Sequence, residues 1–263
     1  MPHKHAIRRN FARRAATYDA HAQVQRFMAE ELLRQTGARV SRCRSILEVG
    51  CGTGYLTQKL RRWNPSAWLV AVDLDVVLLQ RARARLNGDP ATGWLVADGE
   101  TLVRGSFDLI ISNSTFQWFS EPQETLKRYR NCLAPGGFLA FSAMGPDTFR
   151  ELALSLREAA RKLNCQRPPE IAAEKFLKES DWLNLLAAAG FREIHLKKEG
   201  WRVNFPSVRE FLASLRATGA TNPEVRPLSP RLFQALLATY QERYAINGSI
   251  PVSYELIWAL ARN

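Results

Sequence analysis

A chain of 263 residues with 46% hydrophobic and 24% charged residues is too apolar for a disordered tail, too charged for a membrane bundle, and long enough to bury a full core as one elaborated domain. Its 37 lysines and arginines against 25 acids give a net charge of +12, which invites nucleic acid, anionic lipid or an acidic protein without choosing among them. No stretch of about 18 residues is free of charge, so no membrane-spanning helix is expected, and Cys43, Cys51, Cys132 and Cys165, far apart and without Cys-x-x-Cys spacing, argue against a zinc site and fit a reducing cytoplasm.

The N-terminus is Arg-rich and free of acids before Asp19. An organellar transit peptide is one reading of it, and an ordinary basic first helix is the preferred one. Phe11, Ala15, Tyr18, Val24, Phe27, Met28 and Leu32 recur three or four apart, which predicts a helical cap over 1–44. Ser45 to Val49 then reads as a strand that breaks into glycines, followed by a helix from Tyr55 to Trp63. The alternation continues with strands at 68–73, 93–96, 107–112 and 138–142 and helices at 76–86 and 122–132, the last strand preceded by a Pro135-Gly136-Gly137 turn. Strands alternating with helices imply an α/β fold with parallel crossovers and helices on both faces of an open sheet.

After Ser142 the rhythm changes. Helices are predicted from Asp147 to about Lys162 and from Glu174 to Ala189, where Gly190 stops the second. Phe191 to Leu196 and Trp201 to Phe205 alternate like a hairpin. Two helical stretches, 208–216 and 230–244, flank a Pro-rich loop, and 252–261 closes the chain as a strand. The expected organisation is a cap over 1–44, a core with a helical extension over 45–206, a helical insertion over 207–249 and a last core strand over 250–263.

Chemistry concentrates at Glu48-Val-Gly50-Cys-Gly52-Thr-Gly54, at a strand-to-helix junction where glycines let the backbone turn sharply and approach a ligand. The spacing is G-x-G-x-G rather than the G-x-G-x-x-G of dinucleotide-binding enzymes. Asp73 ends the next strand, where a carboxylate can accept both hydroxyls of a ribose, with Leu74 beside it, and Asp98-Gly99 ends the third, where a carboxylate can accept the exocyclic amine of adenine. Glu48 precedes the glycines and could orient a cationic amino-acid portion. Acids at three successive strand ends, with no base placed for a phosphate, describe a nucleoside carrying an amino acid, which is S-adenosyl-L-methionine.

On these residues the stretch from Ser45 to Ser142 resembles the class I S-adenosylmethionine-dependent methyltransferases, which implies a Rossmann-like, mostly parallel seven-stranded sheet with a helical cap and a helical insertion before the last strand. The resemblance places Asn113, at the end of the fourth strand, near the methyl donor, and faces Ser114, Gln117 and Trp118 toward the substrate. Phe116 reads as core, and Trp118 divides evenly between core and pocket wall.

Pieces outside that shared core resemble one subfamily, the malonyl-acyl-carrier-protein O-methyltransferases of biotin synthesis. They are F-A-R-R-A-A-T-Y-D at Phe11 to Asp19, the downstream Gln25, S-N-x-x-x-Q-W at Ser112 to Trp118, G-P-D-T-x-x-E-L at Gly145 to Leu152, the segment from Ser214 through Arg216 to Asn222, and Ile250 to Tyr254. The resemblance implies methyl transfer from S-adenosylmethionine to the free carboxylate of a malonyl group carried by phosphopantetheine on acyl carrier protein. Such a carboxylate is ionised at neutral pH and needs no base, only alignment and exclusion of water. It also implies cofactor contacts from Gln25, Glu48, Gly50, Gly52, Gly54, Asp73, Leu74, Asp98, Gly99 and Asn113, and substrate contacts from Ser114, Gln117, Trp118, Arg216 and Asn222. Tyr18, on a lid helix, and Arg150 are the expected catalytic pair, the guanidinium holding one carboxylate oxygen while the other attacks. Many relatives have Arg after the Glu-Leu pair where this chain has Ala153, so Arg157 is a second candidate. A free small carboxylic acid as substrate, as in trans-aconitate methyltransferases, and a non-enzymatic cofactor-binding assembly factor stay open. Nucleic-acid methylation is disfavoured because no RNA-binding appendage is visible. The +12 charge then reads as a docking rim for an acidic carrier, built from Arg13, Arg14, Arg209 and Arg216.

Overall fold

Five parallel strands fall where apolar, β-branched runs meet glycines, and two long antiparallel strands extend the sheet they build. A computed structural model describes residues 9–101, 104–166, 169–219 and 228–263. Residues 9–14 form helix α1, followed by α2 (Tyr18–His21) and α3 (Gln23–Thr36). The alternating core runs β1 (Ser45–Val49), α4 (Tyr55–Trp63), β2 (Trp68–Asp73), α5 (Val76–Arg85), β3 (Thr92–Val96), β4 (Phe107–Asn113), α6 (Pro122–Asn131) and β5 (Leu133–Met144). Then come α7 (Arg150–Lys162), α8 (Glu179–Ala188), β6 (Arg192–Phe205), α9 (Val208–Thr218), α10 (Pro230–Tyr244) and β7 (Ile250–Arg262).

The strand order is β3-β2-β1-β4-β5-β7-β6, with β7 antiparallel to both neighbours and the rest of the pairs parallel. The chain leaves β1 in one direction toward β2 and β3 and returns to β4 on the other side. The ends of β1 and β4 therefore flank the crevice where ligands of open α/β sheets bind. One face of the sheet packs on α3, α4, α7 and α10 through Met28, Leu32, Leu60 and Leu236, and the other packs through Tyr129, Phe141, Trp182 and Leu186. The indole of Trp258, on β7, donates to the Met28 carbonyl at 3.0 Å, which fixes α3 across the sheet.

Four features depart from the sequence reading. The expected hairpin over 191–205 is one continuous strand, because β7 is long enough to pair it from Arg192↔Arg262 to Phe205↔Ile250, with an irregularity between Arg192 and His195. Pro135-Gly136-Gly137 lies within β5 as a register shift between Phe107↔Leu133 and Leu109↔Phe138, with Gly136 at φ +75°. Helix α7 begins at Arg150 rather than Asp147, because Phe149 adopts the left-handed region at φ +62°. Helix α8 begins at Glu179 rather than Glu174; a separate 3-10 turn covers Ala172–Lys175, and Asp181 accepts from the Lys178 backbone at 2.9 Å to start the helix. No helix among the described residues is long and apolar enough to cross a membrane.

Candidate functional site

At the crevice the glycine loop performs three separate tasks. Gly50 has φ +73°, and a Cβ there would stand 2.2 Å from the Thr115 hydroxyl, so only glycine lets β1 pass the turn after β4. Gly54 packs the start of α4 onto α5, where a Cβ would meet Ala82 at 2.8 Å. Gly52, at φ +54°, has open space where its Cβ would point and lines a cleft of about 150 Å³.

That cleft collects Asp73, Leu74, Asp98 and Gly99 from the ends of β2 and β3, Asn113 and Ser114 from the end of β4, and Phe11 and Tyr18 from the cap. The Asp73 carboxylate is fixed by the loop it faces: one oxygen accepts from the Gly52 amide at 2.8 Å and the other from the Asp75 amide at 2.9 Å. Burial pushes its pKa up to about 6 against the lowering pull of those amides. Asp98 accepts from the Glu100 amide at 3.0 Å. Both carboxylates thus have their orientation set by backbone while facing a cleft with apolar walls at Val72, Leu78 and Ala97.

Glu48 stands behind the loop rather than in the cleft lining, 1% exposed, with one carboxylate oxygen lacking a hydrogen-bond partner. Burial raises its pKa to about 8. Asn113 is held from both sides, donating to the Gln25 carbonyl at 3.1 Å and accepting from the Ser142 hydroxyl at 2.7 Å. Ser114 follows it in the left-handed region, at φ +54°, its amide donating to the Ser142 carbonyl at 3.0 Å. Burial and the neighbouring Asp19 and Asp73 raise the Tyr18 pKa, so its hydroxyl stays protonated and can donate but not act as a base.

Trp118 lies in the walls of two cavities, the cleft and an apolar chamber of about 500 Å³. Its ring meets Phe11 edge-on at 6.3 Å and Phe176 at 5.6 Å. Four distant segments build the chamber: His21, Val24 and Gln25 of the cap, Leu152 and Leu156 of α7, residues 170–173 with Phe176, and Leu212, Leu215 and Arg216 of α9 with Leu236 of α10. Arg216 is the arginine of its described lining, and Glu170 is the carboxylate.

Not every expected residue gathers at these two cavities. Arg150 does not: it opens α7, lies 3.5 Å from Glu151, and lines a different hollow with Lys198, Trp201 and Arg202 beside β6. The expected catalytic guanidinium is instead at the sheet edge, because Arg150 stands two residues from Leu152 and so on the opposite side of α7 from the chamber. Arg157 pairs with Glu174. The Gln117 side chain turns back onto Ser114, donating to its carbonyl at 3.0 Å, and Gln25 reaches the chamber rather than the cleft. Phe116 is core, stacked on Phe141 at 4.2 Å. Asn222 lies outside the described residues.

Sequence reasoning missed Phe11 and Phe119 as cleft walls and most of the chamber lining. The three-and-four spacing marked Phe11 as part of the apolar face of a helix but could not say that this face meets a cavity.

Comparison with known proteins agrees with this geometry. A family model described as a methyltransferase domain matches residues 47–141. Malonyl-acyl carrier protein O-methyltransferase from Halalkalibacterium halodurans is 33% identical over 98% of this chain and 98% of its own, and that of Anoxybacillus flavithermus is 37% identical over 98% and 97%. Among solved structures, the YcgJ protein of Bacillus subtilis shares the fold with a TM-score of 0.59 at 14% identity, over 89% of this chain and 98% of its own. Phosphoethanolamine N-methyltransferase 2 of Haemonchus contortus, solved with S-adenosylhomocysteine, does so with a TM-score of 0.58 at 14% identity, over 95% of this chain and 56% of its own.

Proposed function

From the premise that the chain belongs to the malonyl-acyl-carrier-protein O-methyltransferase family, we propose that it transfers a methyl group from S-adenosyl-L-methionine to the free carboxylate of a malonyl thioester on acyl carrier protein. The observation that carries this reading is the pairing of two cavities across Trp118: a cleft whose apolar walls carry two backbone-fixed carboxylates, and a chamber whose described lining holds Arg216 among apolar side chains. The product would be the malonyl methyl ester, which resembles an ordinary acyl primer and so suits the start of a pimeloyl chain for biotin.

The cleft fits the cofactor on its own chemistry. Asp73 has lone pairs left for the two ribose hydroxyls after its two amide contacts, and Asp98 can accept the adenine amine. Gly52 leaves open space for the close approach of the amino-acid portion, and Asn113 supplies a polar group to the cleft wall. When bound, S-adenosylmethionine supplies a sulfonium methyl, which a carboxylate oxygen takes while the C–S electron pair stays on sulfur.

The protein's residues position and exclude water. Arg216 would hold the malonyl carboxylate or the arm behind it by charge-assisted hydrogen bonds. Tyr18, kept protonated, would donate to one carboxylate oxygen and leave the other to attack. Trp118, Phe11 and Phe176 close the junction with aromatic surface, which keeps water from the reacting carboxylate. The exposed Arg13, Arg14 and Arg216 stand where the cap meets α9, since Thr17 bonds both the Arg14 and Ala217 carbonyls. They form a basic rim suited to an acidic carrier. The reaction would run in the cytoplasm, in keeping with four free cysteines.

The test is to offer purified protein malonyl-carrier protein, malonyl-CoA and free malonate with labelled S-adenosylmethionine, and to identify the product by mass. Methyl ester on the carrier, turned over well ahead of the other two, is expected. Equal turnover of free malonate would replace the carrier reading with a free-acid one.

A further inference from the structure

The geometry points to Asp19 as a positioning residue whose carboxylate latches the cap onto the cofactor loop, holding Tyr18 over the cleft and setting the rate at which the cofactor exchanges. The inference rests on the cofactor half of the proposed function and not on the identity of the acyl substrate.

Helix α2 has four residues, too few for its length to hold it in place, and apart from the Tyr18 ring against Phe11 its side chains add little apolar packing. Polar contacts hold it. One Asp19 carboxylate oxygen accepts from the Thr53 hydroxyl at 2.6 Å, and the other accepts from the Arg85 guanidinium. The Asp19 carbonyl accepts from Arg26 at 2.9 Å. Thr53 lies between Gly52 and Gly54, inside the loop that faces the cofactor, and Arg85 ends α5. A single carboxylate thus ties the cap to two elements of the nucleotide-binding core. Arg85 depends on it in turn: one of its terminal nitrogens is buried without a hydrogen-bond partner, so removing Asp19 would leave a half-buried guanidinium still less compensated.

The other side of the cap is fastened to the insertion. The Thr17 hydroxyl donates to the Ala217 carbonyl at 3.0 Å, and Gly219 lies so near Asn10 that a Cβ would stand 2.8 Å from its carbonyl oxygen. Tyr18 sits between the two anchorages, with its ring 6.1 Å from Phe11. The same segment continues into His21, Val24 and Gln25, which wall the chamber. Closing the cap therefore roofs the cleft and completes the chamber in one movement.

The experiment measures release of radiolabelled S-adenosylhomocysteine into an unlabelled chase, with no acyl substrate present, for the parent, Asp19→Asn, Asp19→Glu and Arg85→Ala. Asp19→Asn and Arg85→Ala should each release the ligand about tenfold faster, with the ligand-free protein still folded and cooperative on melting, because a charge-assisted contact that holds the closed cap is lost. Asp19→Glu should restore most of the slow release. Release within twofold of the parent in both Asp19→Asn and Arg85→Ala overturns the latch, as does equally fast release from Asp19→Glu. Unfolding of both variants also overturns it, since the pair would then be a brace of the fold. If malonyl-carrier protein proves not to be the substrate, these release rates still decide the matter.

Discussion

The cleft and the chamber share a wall at Trp118 but are built in opposite ways. The cleft is assembled from the ends of β1 to β4, within one run of chain, and among the described residues only Phe11 and Tyr18 reach it from outside that run. Its working groups are carboxylates and amides whose directions are fixed by backbone hydrogen bonds. The chamber gathers side chains from the cap, α7, the 170–176 segment and the insertion, and most of its surface is aliphatic or aromatic. A polar site of fixed geometry needs a rigid scaffold, and a sheet edge provides one; an apolar space needs only enough faces turned inward. Cofactor recognition can therefore stay constant while the substrate chamber varies with the segments that enclose it.

Substitutions can separate the two regions, and the largest effect is expected in the cleft's scaffold. Gly50→Ala combines a left-handed backbone with a Cβ 2.2 Å from the Thr115 hydroxyl, and should cost about 3 kcal/mol of stability and abolish cofactor binding. Chemical denaturation and calorimetry check it. Asp73→Asn keeps the size but removes the charge and sets an NH2 against one of the two backbone amides that the carboxylate accepts from, so cofactor affinity should fall by about 2 kcal/mol, roughly thirtyfold, with turnover at saturating cofactor largely kept. Arg216→Ala touches the chamber alone: KM for the acyl substrate should rise about tenfold with cofactor affinity unchanged, and a fall in cofactor affinity would mean that the two regions are not separable.

A pH experiment probes the cleft's scaffold without a substitution. Glu48, with its pKa raised by burial to about 8, takes up a proton more readily folded than unfolded, so its contribution to stability is fully present below the ordinary value near 4.5 and is lost as pH rises through about 8. The melting temperature of the ligand-free protein should decline over that window, and Glu48→Gln should flatten the curve. Asp73 adds a shallower decline of the same sign up to about 6. A parent curve that rises with pH across the window would contradict the burial of an unpaired Glu48 carboxylate.

The same contrast explains what was legible in the sequence. Glycines, strand-end acids and β-branched runs are local signals, so β1 to β4 and the residues Asp73, Asp98 and Asn113 could be placed from neighbours a few positions away. The single long β6 could not. Lys197-Lys198-Glu199-Gly200 has the composition of a turn, but Glu199↔Leu256 and Gly200↔Glu255 pairing carries the strand straight through, and Lys197 reaches Glu31 on α3 at 2.9 Å. Arg150 differs, since the cause is local: it stands two residues from Leu152 and so on the opposite side of α7, facing the hollow beside β6 while Leu152 faces the chamber. Which apolar helix faces enclose empty space, and which fill a core, is decided by tertiary packing alone.

The central claim is that cofactor and acyl substrate occupy separate cavities on the two sides of Trp118. Its most direct test is a paired measurement on Asp73→Asn and Leu215→Gln, the second placing an amide in the half-buried chamber wall. S-adenosylhomocysteine affinity is taken by calorimetry, and KM for malonyl-carrier protein at saturating cofactor. The account predicts a crossed result, with Asp73→Asn weakening the first and sparing the second, and Leu215→Gln raising the second and sparing the first. Parallel losses in both quantities for both variants would contradict it.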